Sequence, residues 1–179
     1  MSRPLRLETR RLVLRPLGTS DEAVLHAINT DPDVRRFLFD NVVLPPAESA
    51  AMLAASTALF AGEGIGLFGI TQRDDPALVG WAGYLRPRPE SPLEIGYALV
   101  RPLWGRGLTV EACRAVMTWG ADHAHLAKFH ASTDVWNLAS IRVLDKLAFS
   151  ETGRSGALIF FARDACRLDR ADVVCVTAE

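Results

Sequence analysis

Between Glu94 and Ala112 the apolar pattern changes period across two glycines, and no other feature of the chain restricts the fold as much. Leu93 to Val100 alternates as a strand does, and Pro102 ends it. From Gly107 to about His123, Val110, Arg114, Met117 and Ala121 recur about one turn apart, which predicts a helix. Gly105 and Gly107 stand at the junction. A helix start offers unpaired amides and a partial positive charge, so it attracts phosphate. The glycines let the backbone come close to such a ligand, and Arg106 adds a charge beside it. Taken alone, the same residues equally describe a helix cap with two turn glycines. Two familiar phosphate loops do not fit. No Gly-Lys-Ser/Thr follows a four-residue spacer, Val110 stands where a dinucleotide fingerprint needs its third glycine, and Lys128-Phe129 fall where that fingerprint wants an acid.

A second segment, Asn137 to Phe149, follows a strand-like run from Lys128 to Val135. Asn137 is a good N-cap, and Ser140 lies one turn in on the same side. The helix they open runs to Leu147, with Ile141, Leu144 and Leu147 as its apolar face. A capped helix with a surface serine would look the same.

The remaining punctuation supplies the other elements. Leu12-Val13-Leu14 is a short strand stopped by Pro16. Thr19-Ser20-Asp21-Glu22 predicts a capping box, with Thr19 taking an orphan amide and Glu22 reaching back, and a helix to about Thr30. Asp31-Pro32-Asp33 restarts a short helix through Phe37, and Pro45-Pro46 begins a longer one from Ala47 to about Ala61. Leu67–Thr71 and Leu78–Leu85 are strands around a turn at Arg73–Pro76, and Ala157–Ala162 is a last strand. Helices come early, and a mostly antiparallel sheet interrupted by two helices follows, which is an α/β (α+β) layout.

Composition bounds the function. The 179 residues suit one domain of 1–179, and a chain this long buries roughly 70% of its extended surface without staples. Twenty basic and 21 acidic residues give a net charge of −1, which argues against nucleic acid as a partner. The longest apolar run, Ala157 to Ala162, is far short of the ~20 residues of a membrane span, so no membrane role is expected. Met1-Ser2-Arg3-Pro4 leads into charged sequence without a signal region, and the expected compartment is cytoplasmic. Cys113, Cys166 and Cys175 form no pair with metal or redox spacing. His123, His125 and His130 have no acidic or cysteine partner in register, so no metal is expected.

Together these segments resemble the GNAT superfamily of N-acetyltransferases, and its RimJ/RimL-like branch most strongly. The resemblance rests on Leu7-Glu8-Thr9-Arg10-Arg11-Leu12-Val13-Leu14-Arg15-Pro16-Leu17, Glu94-Ile95-Gly96-Tyr97, Trp104-Gly105-Arg106-Gly107 and the asparagine–serine helix, in that order. It covers a core of 7–163 and leaves a tail of 164–179 outside, where Val173–Val176 could add a strand or pack on a neighbour. It implies a mixed, mostly antiparallel twisted sheet with flanking helices and a splay between parallel strands, which receives acetyl-CoA. Ala98, Leu99 and Val100 would pair with the pantetheine arm. The amides of Gly105, Arg106, Gly107, Leu108 and Thr109 would hold the pyrophosphate. Asn137 would contact the pantetheine, and Ser140 would act as general acid. Trp104 and Thr109 depart from the usual residues of that loop, and Ala148 replaces the usual glycine before Phe149.

Acetyl transfer to an amine needs a base for the ammonium proton and an acid for the leaving thiolate. Glu94 is the candidate base, since Glu94, Gly96 and Ala98 share one strand face and Tyr97 points the other way. The Leu99 or Val100 amide could steady the oxyanion. The expected activity is direct transfer from acetyl-CoA to a primary amine, either a protein N-terminus or a small molecule, by a monomer or homodimer. The alternative is a non-catalytic CoA-binding or sensing module on the same fold.

Overall fold

The computed structural model describes residues 5–38, 41–87, 90–168 and the backbone of 173–176. Nine strands among these residues form one sheet: β1 (Arg6–Thr9), β2 (Leu12–Pro16), β3 (Leu67–Gln72), β4 (Asp75–Leu85), β5 (Glu94–Leu99), β6 (Lys128–Asp134), β7 (Ser150–Ser155), β8 (Leu158–Asp164) and β9 (Val173–Val176). Their spatial order is β7-β8-β6-β5-β4-β3-β2-β1-β9. Every neighbouring pair is antiparallel except β5 and β6. A parallel pair needs a crossover, and α4 (Leu108–His123) supplies it.

The sheet is covered on both faces. On one, α4 packs Ala112, Cys113, Val116 and Met117 onto Phe68, Ala82, Ile95, Leu99 and Phe129, and α5 (Leu138–Lys146) adds Leu144. On the other, α1 (Glu22–Thr30), α2 (Pro32–Arg35) and α3 (Pro46–Glu63) bring Leu25, Ile28, Val34 and Leu53 against Leu67, Trp81 and Ala98. The buried Trp81 indole donates to Asn29 Oδ1 at 2.8 Å, so its polar atom is satisfied within the apolar layer.

Two sequence expectations are corrected. Thr19 does not open α1. Residues Thr19–Asp21 form a turn of 3-10 helix and α1 starts at Glu22. The carboxylate that reaches back is Asp21, which accepts from the Gly18 amide at 2.9 Å and from both terminal nitrogens of Arg15 at 2.8 and 2.7 Å. A two-pronged arginine outcompetes a lone hydroxyl for the chain's entry into the helix. β1 and β7 are strands that the sequence pattern does not predict, because neither carries a clear alternation of apolar residues. β7 reads Ser-Glu-Thr-Gly-Arg-Ser and is held by pairing with β8.

Candidate active site

β5 and β6 share only one register pair, Glu94 with His130. Beyond it the two strands part, and β5 offers a backbone edge with no β6 residue opposite. The parity of that edge follows from β4. The Val100 amide donates to the Val79 carbonyl at 2.9 Å, in register with the β4–β5 ladder. Polar groups alternate sides along a strand, so those of Gly96 and Ala98 face β4, while those of Ile95, Tyr97 and Leu99 face the splay. This corrects part of the expected cofactor set. Both backbone groups of Val100 are occupied, since its carbonyl accepts from the Leu103 amide at 3.1 Å, so Val100 is no oxyanion donor. The Leu99 carbonyl accepts from the Trp104 indole. The Leu99 amide and the Tyr97 amide and carbonyl are left on the open edge. Sequence alternation identified the strand but not which of its residues the neighbouring ladder would use.

The chain then turns toward α4. Gly105 and Gly107 have φ of +74° and +76°, in the left-handed region that favours glycine. Gly107 is the N-cap, and the first-turn amides of α4 open beside it. The loop is braced from the far side of the sheet. Glu111, in the first turn of α4, accepts from Thr9 Oγ1 at 2.6 Å, the Arg11 amide at 2.8 Å and Arg11 Nε at 2.7 Å. Arg11 Nη1 also donates to the Arg106 carbonyl at 2.9 Å. These bonds hold the Glu111 carboxyl below its usual range despite its partial burial.

Opposite the loop, the buried Asn137 caps α5 by accepting from the Ser140 amide at 3.0 Å. The Ser140 hydroxyl lies 2.8 Å from the Tyr97 hydroxyl. Burial first, and the neighbouring Cys113 second, raise Tyr97 well above the ordinary tyrosine range, so it remains a phenol. The Cys113 thiol is fully buried and raised likewise, which makes it unreactive. Tyr97 does point away from Glu94, as the strand parity predicts, but its partnership with Ser140 was not visible in the sequence.

Glu94 is 7% exposed and accepts from Ser132 Oγ at 2.7 Å through Oε2. No arginine or lysine pairs with it among the described residues. One continuous cavity of about 1170 Å³ joins these parts. It passes through the splay from α2 and α3, past Glu94 and Gly96, to Gly105, Gly107, Asn137 and Ser140. Arg142 and Lys146, which the sequence analysis did not single out, line it along one face of α5, and neither has an ion pair among the described residues. An i, i+4 pair of cations on a helix after an asparagine cap was the available signal.

Comparison with known proteins agrees with this fold. The acetyltransferase (GNAT) domain description matches residues 11–150. A Bacillus licheniformis protein named Uncharacterized N-acetyltransferase p20 is 26% identical over 148 residues, which are 82% of this chain and 83% of that protein. The acetyltransferase from Agrobacterium tumefaciens str. C58 superposes with a TM-score of 0.78 at 20% identity, over 91% of this chain and 95% of its own. A RimL ribosomal-protein α-N-acetyltransferase solved in complex with coenzyme A gives 0.71 at 20% identity, over 92% and 98%.

Proposed function

We propose a reaction on the premise that this chain belongs to the GNAT acetyltransferase family: direct transfer of an acetyl group from acetyl-CoA to a primary amine. The observation that carries it is the parting of β5 from β6 after the single pair Glu94–His130, beside a helix start opened by two glycines of positive φ. An amide-bearing pantetheine arm fits an open strand edge, which here offers Tyr97 and Leu99. A pyrophosphate fits the amides from Gly105 to Thr109. Arg106 stands beside them, and Asn137 faces the arm from α5.

In this reading the amine enters from the α2–α3 side, where Glu94 lines the cavity. Its nitrogen attacks the thioester carbonyl, forming a C–N bond, and the C–S bond then breaks. The ammonium proton passes to Glu94, directly or through water, while Ser132 keeps the carboxylate oriented. The Ser140 hydroxyl passes a proton to the leaving thiolate and takes one up from water in the same step, while the Tyr97 phenol beside it donates a hydrogen bond to the serine oxygen, and Glu94 returns its proton to solvent. The Leu99 amide is the backbone donor left for the oxyanion. No acyl-enzyme is invoked: of the cysteines whose side chains are described, Cys113 is sealed in the core and Cys166 lies on the turn after β8, outside the cavity. Similarity in fold to RimL supports placing the chain near the RimJ/RimL-like branch. Calorimetry with acetyl-CoA, followed by thiol release with a panel of primary amines, tests the reading. Micromolar binding with amine-dependent release is expected. Binding without release would instead support a CoA-sensing module.

A further inference from the structure

We propose that Arg11, on the turn between β1 and β2, is a positioning residue for the cofactor: it fixes the Arg106–Gly107 peptide so that the Gly107 amide is presented to the pyrophosphate, and Glu111 fixes Arg11. The proposal rests on the acetyl-transfer reading above and adds to it two residues that do not line the cavity. Gly107 has φ of +76° and ψ of 6°. That is the third-residue conformation of a type II turn, and its peptide-flipped counterpart, with φ of about −90°, is as open to glycine. A trans peptide carries its carbonyl and its N–H on opposite sides, so a flip exchanges the directions of the two. The loop backbone alone therefore does not decide which group faces a bound anion. Arg11 decides it. Its Nη1 donates to the Arg106 carbonyl at 2.9 Å, which turns the Gly107 N–H away from the guanidinium. Gly105, Gly107, Leu108 and Thr109 line the cavity and Arg11 does not, so the N–H is left for the cavity side. Among the described residues no backbone or side-chain acceptor takes it.

Glu111 keeps Arg11 in that pose. Its Oε2 accepts from Arg11 Nε at 2.7 Å and lies 2.6 Å from Nη2, which leaves Nη1 for the loop. Its Oε1 accepts from Thr9 Oγ1 at 2.6 Å and from the Arg11 amide at 2.8 Å. The carboxylate thus grips Arg11 by both backbone and side chain, from the first turn of the helix that the glycine loop opens. Unpaired, a carboxylate in that turn would repel a pyrophosphate, and the guanidinium cancels its charge.

Two ligands and two variants test the proposal. Dephospho-CoA carries the pyrophosphate, whereas S-acetylpantetheine carries only the arm. Arg11→Met combined with Glu111→Gln removes one charge of each sign, so the net charge beside the loop is unchanged. It should weaken dephospho-CoA by about 10- to 100-fold in calorimetry, as expected for a lost hydrogen bond to a charged group. S-acetylpantetheine affinity, followed by amide NMR, should not change. In the same spectra the Gly107 amide of the unsubstituted protein should move downfield with dephospho-CoA, and that of the double variant should not. Glu111→Gln alone tests the sign. If charge alone matters, removing a carboxylate tightens anion binding, whereas loss of the anchor weakens it by about 3-fold or more. Equal or tighter dephospho-CoA binding by Glu111→Gln overturns the proposal. So does a double variant that keeps its dephospho-CoA affinity or loses both ligands to the same degree while folded. If the double variant does not fold, the single variant decides. If the unsubstituted protein binds no dephospho-CoA, the acetyl-transfer reading falls as well.

Discussion

Ala148 holds a φ of +55° at the end of α5. Its amide donates to the Asp145 carbonyl at 2.9 Å, and the Phe149 amide to the Leu144 carbonyl at 3.0 Å, which closes the helix by a paired C-terminal motif. That motif wants glycine at the left-handed residue, and alanine carries a steric penalty there. Ala148→Gly should therefore stabilise the fold by about 0.5–1 kcal/mol in urea unfolding, against the usual direction for a new glycine. Asp21 offers a charge counterpart. Its hydrogen bonds from Arg15, and then from the Gly18 amide, lower its carboxyl below the ordinary range. A lowered folded value means the stabilisation is present above the unfolded value near 4 and is lost as pH falls through the folded value. Asp21→Asn should cost about 1–2 kcal/mol at neutral pH, partly screened by solvent, and that gap should close in unfolding curves taken below about pH 4. Glu94→Gln should leave acetyl-CoA affinity near wild type and lower turnover by ~10²–10⁴ in steady-state assays. A rate within a few-fold of wild type would assign the carboxylate to holding Ser132. At this scale, residue type and spacing put Glu94 on one strand face with Gly96 and Ala98 and made Asn137 a helix cap with Ser140 one turn in, while the roles expected of Asn137 and Ser140 came from the family resemblance. The hydroxyl pair and the occupied backbone of Val100 were hidden, because both depend on which strand lies alongside.

α5 brings three functions to one helix. Its N-terminus positions Asn137 and Ser140, its buried side seats Leu144, and its open side carries Arg142 and Lys146 into the cavity. Cations one turn apart, with no ion pair among the described residues, in the cavity that Gly105 and Gly107 also line, would suit the phosphates at the nucleotide end of a bound CoA. Replacing both with alanine should weaken CoA by about 10-fold or more, and should weaken dephospho-CoA, which lacks one dianionic group, distinctly less. Calorimetry on the two ligands reads the difference. α4 shows how an element can be legible while its support is not. Its period and its glycines are plain in the sequence, yet the carboxylate that ties its first turn to β1 and β2 is one glutamate among many until Thr9 and Arg11 are seen around it. β7 was illegible for a related reason. A polar strand at the end of a sheet is made by its partner rather than by its own composition.

For the whole molecule, the α/β layout, the early helices and the two-glycine turn before α4 could all be read from periodicity and punctuation. The order of nine strands could not, since it is set by long-range pairing. One such pairing joins Val173–Val176 to β1 at the far edge, with β1 to β5 between it and the splay. A chain ending at Leu168 should accordingly melt lower and associate more readily through the uncovered β1 edge, while still binding acetyl-CoA. The opposite region of the sheet has a different consequence. Because β1 to β5 meet β6 to β8 in the ladder only at Glu94 and His130, the sheet is two plates stitched at one point, with α4 as the strap between them. A ligand lying in the gap adds a second seam. Amide hydrogen exchange should slow on both plates when acetyl-CoA is added, most of all along β5 and β6. The plates would then behave as one rigid body only while the cofactor is held, so the protein is at its stiffest at the moment an amine must be aligned.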